Sequence, residues 1–562
     1  MLSLCTLVGC SVRLHFLNEN KKKHLAIIKG DKLMTLGFSY IGLIWLVMLF
    51  VPNFIWMKNK PKDYEQYAKK ENKVLLVFER VGQFIVTPAA LIFSNFNIHR
   101  ITFWSVVLLI SFICMVFYEI FWIRYFKSEK TMKDFYRNMF GFKVPGASLP
   151  VAAFLLLGIY GGNIIMIIGA VILGIGHIGI HLKHRKEVWE PKPKKKLPVR
   201  IILGILKVIG ILLQVAIVGI FAVLIAGRNI NEVKRAAAFK GGINEGLYVP
   251  LKTGDGYLRI MGKNDKNPVI LTLHGGPGEP SGYFDHVWTD GLTDEYTVVL
   301  WDESGCGRSY YRNVEKGNTS LPTIESQEED IDALVDYLCK RFNQDKVIIL
   351  GHSYGTILGS IYAQAHPEKV AAYIGIGQVV SFKDLASEHY SYKDALAQAK
   401  AKGDDTTELE RVYKVFCDDP SVMNMQALRQ ATAPYHVATA PDTIPMTELY
   451  FSPYIGVDDI RWTALEYSMF FGSTKFEELQ GAILTQLYQF DITERDNTYQ
   501  VPVMLISGSA DWTCPCGMVL DYFETIEAPK KNMYVMEGCG HSPMTQLPDD
   551  LISSVKQFLK SA

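Results

Sequence analysis

The chain has 562 residues, more than one ordinary domain, and 49% of them are hydrophobic, which excludes a purely soluble protein. Its formal net charge is +1, and no basic and aromatic surface pattern indicates nucleic-acid binding. The apolar excess lies before residue 228, so a membrane domain over 34–227 and a globular domain over 228–562 are predicted.

Residues 1–33 are interpreted as a possible non-native or disordered leader. They include the basic stretch "NENKKKHLAIIKGDKL", which would favour the cytoplasm. Lys29 and Gly30 can be encoded by AAGGGN, which resembles a bacterial ribosome-binding sequence shortly before Met34. Translation from Met1 and translation from Met34 both remain open.

Six membrane spans are predicted, because a helix crosses a bilayer with about 20 apolar residues. Three clear runs cover 38–56, 101–123 and 208–227. A fourth, 74–94, contains Glu79 and Arg80, which a membrane tolerates when they are paired or face other helices. The stretch 149–182 would be about 50 Å long as one helix. Gly161, Gly162 and Asn163 therefore predict a hairpin of two spans there.

Basic residues predict the orientation of these spans, since cytoplasmic loops are enriched in lysine and arginine. Basic loops follow the first, third and fifth spans, the last of them being "KHRKEVWEPKPKKK". If these loops are cytoplasmic, the N-terminus and the globular domain both lie outside the cell. Glu119, His177 and His181 are interpreted as a polar seam between packed spans, with an ion pathway as the alternative.

The globular domain alternates apolar strands with helical patterns, which is typical of a doubly wound, mostly parallel α/β sheet. Six strands are predicted, at 268–274, 296–302, 345–351, 371–377, 501–507 and 532–537. The alternation is interrupted over 381–497, a stretch too long for an ordinary connection. We predict an inserted helical cap there.

The segment "GHSYG", 351–355, follows a predicted strand and precedes a predicted helix, which is the context of a nucleophilic serine at a sharp turn. Ser353 needs a base and an acid to become reactive. Asp511 and His541 follow the last two predicted strands, in the order serine, acid, histidine. Because these strands end at one edge of the sheet, the three residues are predicted to form a catalytic triad.

The glycine-rich segment "LHGGPG", 273–278, predicts a backbone that a ligand approaches closely. In hydrolases whose nucleophilic serine lies at such a turn between a strand and a helix, the corresponding loop supplies one N–H group of the oxyanion hole, here that of Gly276. The residue after the nucleophile, here Tyr354, supplies the other. Gly275 is predicted to contact substrate. No metal or cofactor is predicted, since Cys514 and Cys516 lack partners at zinc spacing. Six cysteines follow residue 228, and disulfides and free thiols are equally consistent with them.

The globular domain resembles the prolyl iminopeptidases, family S33 of the α/β-hydrolases. The matching blocks are "LHGGPG", "WDESGCGRS", "GHSYGTILG", "YIGIGQ", "DWTCP" and "GCGHSP", spread over about 300 residues from 246 onward. The resemblance implies the same triad, a helical cap and cleavage of an N-terminal residue, often proline. Glu303 and Ser304 depart from the family's D-Q-R-G pattern, and Tyr354 replaces a frequent tryptophan. Cap glutamates bind the substrate amine in the family, and Glu466 is the positional candidate here.

The sequence thus predicts a multi-pass cell-membrane protein with an extracytoplasmic serine aminopeptidase domain. Its expected partners are a small peptide or acyl substrate and the lipid bilayer around 34–227. A carboxylesterase or other acyl hydrolase is the alternative among enzymes. A membrane sensor with a non-catalytic, hydrolase-like binding domain is the alternative from another class.

Overall fold

The computed structural model describes residues 36–68, 72–98, 104–189, 197–280, 282, 285–318, 320–441, 443–444 and 474–562. These residues form two compact units, 36–237 and 238–562. The N-terminal unit is helical, and the C-terminal unit contains a sheet with helices around it. Each unit is described by itself.

The N-terminal unit contains six long helices. They are α1 (Tyr40–Lys58), α2 (Lys73–Ile92), α3 (Ser105–Phe126), α4 (Pro145–Tyr160), α5 (Ile164–Val188) and α6 (Leu197–Ala238). By length and composition, four of the described helices, α1, α2, α3 and α5, can cross a membrane. Helix α4 is apolar but has only 16 residues. The predicted span 208–227 lies inside α6, whose 42 residues reach well beyond it.

The predicted break at 161–163 is confirmed, since α4 ends at Tyr160 and α5 begins at Ile164. Asn163 caps α5 because its side-chain oxygen accepts a hydrogen bond of 3.0 Å from the Met166 N–H. The second helix of the pair is longer than a minimal span and continues to Val188. The number of membrane crossings and their orientation remain predictions.

Helices α2 and α5 pack closely through glycine, as membrane helices commonly do. A Cβ atom on Gly82 would lie 2.4 Å from the Leu173 backbone nitrogen, and one on Gly176 would lie 2.2 Å from the Glu79 nitrogen. The Glu79 carboxylate contacts His177 Nδ1 at 2.5 Å across this interface. Of the two charged residues that interrupt α2, Glu79 therefore has a partner on the neighbouring helix, one of the two arrangements in which a membrane tolerates a charge.

The C-terminal unit is built on an eight-stranded sheet in the order β1-β2-β4-β3-β5-β6-β7-β8. Its strands are β1 (Ile243–Pro250), β2 (Asp255–Gly262), β3 (Val269–Leu273), β4 (Thr297–Asp302), β5 (Val347–His352), β6 (Val370–Ile376), β7 (Val503–Gly508) and β8 (Lys531–Met536). The six predicted strands are β3 to β8, all mutually parallel. The structure adds the antiparallel pair β1–β2, and β2 also pairs antiparallel with β4.

Both faces of this sheet are buried. Leu271 and Val299 pack in one hydrophobic cluster, whereas their neighbours Ile270 and Val298 pack in another. Alternate residues of a strand point to opposite faces, so each face has its own core. The covering helices are α7 (Gly307–Glu315), α8 (Ile324–Phe342), α9 (Tyr354–Ala365), α14 (Cys516–Thr525) and α15 (Pro548–Ser561), the numbers α10 to α13 belonging to the cap.

The predicted cap is helical where it is described. Between β6 and β7 the chain forms α10 (Ala386–Lys402), α11 (Thr407–Asp418), α12 (Val422–Thr432) and α13 (Thr474–Leu487). Helices α10 to α12 share a small core of their own. The insertion follows the strand next to the serine-bearing one, so it enters the unit beside the ends of the central strands.

Candidate active site

Ser353 occupies a sharp turn between β5 and α9. Its backbone has φ 51° and ψ −122°, a conformation that costs energy for any residue other than glycine. A Cβ atom on Gly355 would lie 2.2 Å from the Leu273 carbonyl oxygen, and one on Gly351 would lie 2.5 Å from the Gly355 oxygen. The two glycines of "GHSYG" are required because backbone from the turn and from β3 occupies the space of their side chains.

The structure brings the three predicted triad residues into one hydrogen-bonded chain. His541 Nε2 lies 2.9 Å from Ser353 Oγ, and His541 Nδ1 lies 2.8 Å from Asp511 Oδ2. The other carboxylate oxygen, Oδ1, accepts hydrogen bonds from the Thr513 and Cys514 N–H groups at 2.9 and 3.0 Å. Asp511 is therefore held in place, with one oxygen directed at the imidazole.

His352 contacts the loop that carries His541. No role for His352 was predicted from the sequence. Its Nε2 lies 3.0 Å from the His541 carbonyl oxygen, and the two rings are 5.1 Å apart between centroids. Burial lowers the pKa of His352 to about 4, and the neighbouring His541 adds to that decrease. A neutral His352 can donate its N–H to the carbonyl and so fix the loop that carries His541.

The glycine-rich loop lies beside the nucleophile. A Cβ atom on Gly275 would be 3.2 Å from the Ser353 Cβ, so any larger residue would crowd the serine. Gly276 has φ +124°, a region that favours glycine. Tyr354 is the first residue of α9, and the N–H at that position has no acceptor within its own helix. Tyr354 thus directly follows Ser353, and Gly276 directly follows the glycine that packs against Ser353; donation by their N–H groups stays a prediction.

Comparison with known proteins identifies the fold of this part of the chain. Residues 268–546 match the family model described as "alpha/beta hydrolase fold". This part of the chain is an α/β-hydrolase domain.

The hydrolase domain is related to the proline iminopeptidases. The chain is 28% identical over 297 residues to "Probable aminopeptidase YbaC" of Bacillus subtilis (strain 168), covering 52% of this chain and 88% of that protein. It is 23% identical over 314 residues to "Proline iminopeptidase" of Lactobacillus helveticus (strain DPC 4571), covering 55% and 96%. Among solved structures, one titled "Crystal structure of a membrane phospholipase A, a novel bacterial virulence factor" is 18% identical, with a TM-score of 0.40 and coverage of 64% and 98%.

A buried acid lies next to the glycine-rich loop of the hydrolase domain. Glu303 is fully buried, and neither carboxylate oxygen has a hydrogen-bond partner of standard geometry among the described residues. Burial raises the pKa of Glu303 well above its ordinary value, Asp302 adds to the increase, and the His274 backbone offsets part of it. His274 Nδ1 lies 3.8 Å away, but burial lowers the pKa of that histidine to about 4. The pair is therefore better described as two neutral groups than as a salt bridge.

The six cysteines of the hydrolase domain are free thiols in the structure. The ligand atoms of Asp511, Cys514 and His541 lie within 4.8 Å of one another, and this is the one such group among the described residues. Two of these residues already bond to each other in the triad. Burial raises the pKa of the Cys514 thiol well above its ordinary value, which disfavours the thiolate that metals bind. The group fits a triad better than a metal site.

Glu466, the predicted amine-binding residue, lies outside the described residues. The structure instead shows Glu279, directly after the glycine-rich loop, lining a cavity with Gly275 and His352. Nothing in the residue pattern distinguishes Glu279 from a solvated loop residue, because its importance depends on how the loop folds over the serine.

Proposed function

We propose that the chain is a membrane-anchored serine hydrolase that removes an N-terminal residue from peptides through an acyl-enzyme. The observation that supports this best is the chain of hydrogen bonds from Ser353 to His541 to Asp511 beside the glycine-rich loop. A serine at a strained turn, with a base and an oriented acid, has what nucleophilic acyl transfer requires.

In the proposed reaction Ser353 Oγ attacks the scissile carbonyl carbon while His541 Nε2 takes the hydroxyl proton. The carbonyl oxygen becomes an oxyanion, and the N–H groups of Gly276 and Tyr354 would stabilise it. Asp511 stabilises the imidazolium that forms. The C–N bond then breaks, and His541 gives its proton to the leaving amine. Water, deprotonated by His541, hydrolyses the ester on Ser353 and restores the free serine.

Labelling and a substrate panel test this proposal. We expect a fluorophosphonate probe to label the full-length chain, and free-amine aminoacyl 4-nitroanilides to be cleaved faster than N-acetylated ones. Hydrolysis of simple acyl esters without any aminoacyl amide would indicate a carboxylesterase or other acyl hydrolase. Absence of both labelling and turnover would indicate a non-catalytic binding domain and contradict the proposal.

The orientation of the hydrolase domain is part of the proposal. The basic loops predict that the hydrolase domain lies outside the cell. Protease added to intact cells should therefore digest the part of the chain that follows Arg228 without lysis. Cleavage can be followed with an antibody against the C-terminus, and a cytoplasmic protein serves as the control for intact cells. Protection until lysis would mean an odd number of spans before the domain if the N-terminus is outside, so the helices on either side of 161–163 would then not be two separate spans.

A further inference from the structure

A cavity of about 340 Å³ adjoins the candidate active site. Its wall contains Gly275 of the glycine-rich loop, His352 of the serine turn and Ser542, the neighbour of His541. Three of the segments that position the triad thus also form this cavity.

The cavity wall contains acidic side chains. Glu279 and Asp285 line it, and no lysine or arginine does so within the described part of the chain. The two histidines in the wall, His274 and His352, do not compensate, because burial lowers the pKa of each to about 4. At neutral pH the cavity therefore favours a cationic guest.

Of the two acids, Glu279 is the one that is free to receive a ligand. Asp285 already accepts a hydrogen bond of 3.0 Å from the Trp288 indole N–H. Among the described residues, His541 is the one ionisable group that acts on the Glu279 carboxyl. Burial raises the pKa of Glu279, and His541 offsets part of this increase. A carboxyl that lacks a fixed cationic partner gains interaction energy when an ammonium group binds beside it.

The position of Glu279 suits the geometry of an N-terminal residue. Its Cβ lies 3.4 Å from the place that a Cβ on Gly276 would occupy, so Glu279 packs against the predicted oxyanion loop. In an N-terminal residue only two bonds of about 1.5 Å each separate the ammonium nitrogen from the scissile carbonyl carbon. The group that binds the ammonium must therefore lie next to the oxyanion loop, as Glu279 does.

We infer that Glu279 is a specificity-determining residue that binds the free α-ammonium group of the substrate in this cavity. The inference rests on the proposed serine hydrolase function and narrows its substrates to acyl donors with a cationic amine near the scissile bond. It also supplies an amine-binding acid on the core of the hydrolase domain, independent of the cap residue Glu466.

Glu279→Gln tests the inference, because it removes the charge and keeps the shape. In the full-length protein kcat/KM for alanine 4-nitroanilide should decrease roughly tenfold or more, chiefly through KM, while hydrolysis of 4-nitrophenyl acetate stays within twofold. Glu279→Asp, which keeps the charge, should retain more amidase activity than Glu279→Gln. Glu524→Gln makes the same charge change on the exposed end of α14 and should affect neither substrate.

Fluorophosphonate labelling separates failure of this inference from failure of the proposed function. Equal losses on both substrates, or an unchanged rate on the amine substrate, would overturn the role of Glu279 while labelling persists. A wild-type enzyme that hydrolyses only the ester would overturn both this role and the proposed aminopeptidase activity. Loss of labelling and of both activities in the wild-type chain would overturn the proposed function, and this inference with it.

Discussion

Ser353→Ala should abolish fluorophosphonate labelling and reduce turnover by roughly 10⁴- to 10⁶-fold, the range seen when a triad nucleophile is removed. The effect is expected to be this large because Ser353 Oγ is the atom 2.9 Å from the base in the structure. The Ser353 hydroxyl does not cap the helix that follows, so this helix does not depend on it. The fold should therefore be kept, and the thermal midpoint of the variant should match that of the wild type.

Ser554→Ala is a matched control for this experiment. Ser554 lies on α15, where its hydroxyl bonds the Leu551 carbonyl oxygen at 2.8 Å, far along the chain from the triad. Its substitution removes the same atom and should leave labelling and turnover intact. Persistent labelling of the Ser353→Ala protein would assign the nucleophile to another residue and contradict the proposed mechanism.

The triad could be predicted from the sequence because each member follows the end of a parallel strand, Ser353 directly and Asp511 and His541 within a few residues. Strands β5 and β7 are buried and largely apolar, the edge strand β8 is apolar from Met533 onward, and parallel strands present their carboxyl ends at one edge of the sheet. The glycines around Ser353 could also be predicted. The backbone atoms that leave no room for a side chain there belong to the same turn and to the adjacent strand.

The pair β1–β2 was missed because its sequence lacks such a signal. Strand β1, "INEGLYVP", is polar over its first half and contains a glycine, and its register is fixed by pairing with β2 and not by its own pattern. A strand stabilised by its neighbour can be recognised only when that neighbour is known. The same limit applies to Glu279, whose place in the cavity follows from the fold of the loop before it.

Helix α6 shows a different limit. The apolar run 208–227 predicts a membrane span. The helix that contains it extends from Leu197 to Ala238, through residues that are not uniformly apolar. Hydropathy marks where a helix fits a bilayer and not where its hydrogen bonding stops. A polar contact inside the N-terminal unit was easier to expect from the sequence, because a charged residue within an apolar helix implies a partner. In the structure His177 is the partner of Glu79.

Glu303 is the buried residue whose presence the fold explains least well. It follows β4, and the resemblance to the prolyl iminopeptidases places glutamine at this point of the D-Q-R-G pattern. The carboxyl is fully buried beside the neutral His274 and the buried Asp302. A buried carboxyl without a cationic partner is stable only in its protonated form. The hydrolase domain should therefore be destabilised whenever this group is forced to ionise.

Glu303→Gln should consequently stabilise the hydrolase domain by an amount that grows with pH. The pKa of Glu303 is raised on folding from 4.5, so between 4.5 and the folded pKa the folded domain holds a proton that the unfolded chain has released. Stability is then lost as pH rises across this window, at about 1.4 kcal/mol per pH unit. Glutamine has no proton to lose, so the advantage of the variant should widen at that rate above pH 4.5 and become constant above the folded pKa.

Thermal midpoints of the full-length wild type and variant in detergent, measured between pH 4.5 and 9, test this expectation. Glu325→Gln is the opposite control, because a hydrogen bond from Gln486 lowers the pKa of Glu325. The native Glu325 contributes stability above pH 4.5 that is lost on acidification, so its substitution should cost a little stability at neutral pH and nothing in acid. Glu303→Gln and wild-type midpoints that run parallel across the whole range would mean that Glu303 ionises equally in both states, with a compensating cation beside it in the folded domain.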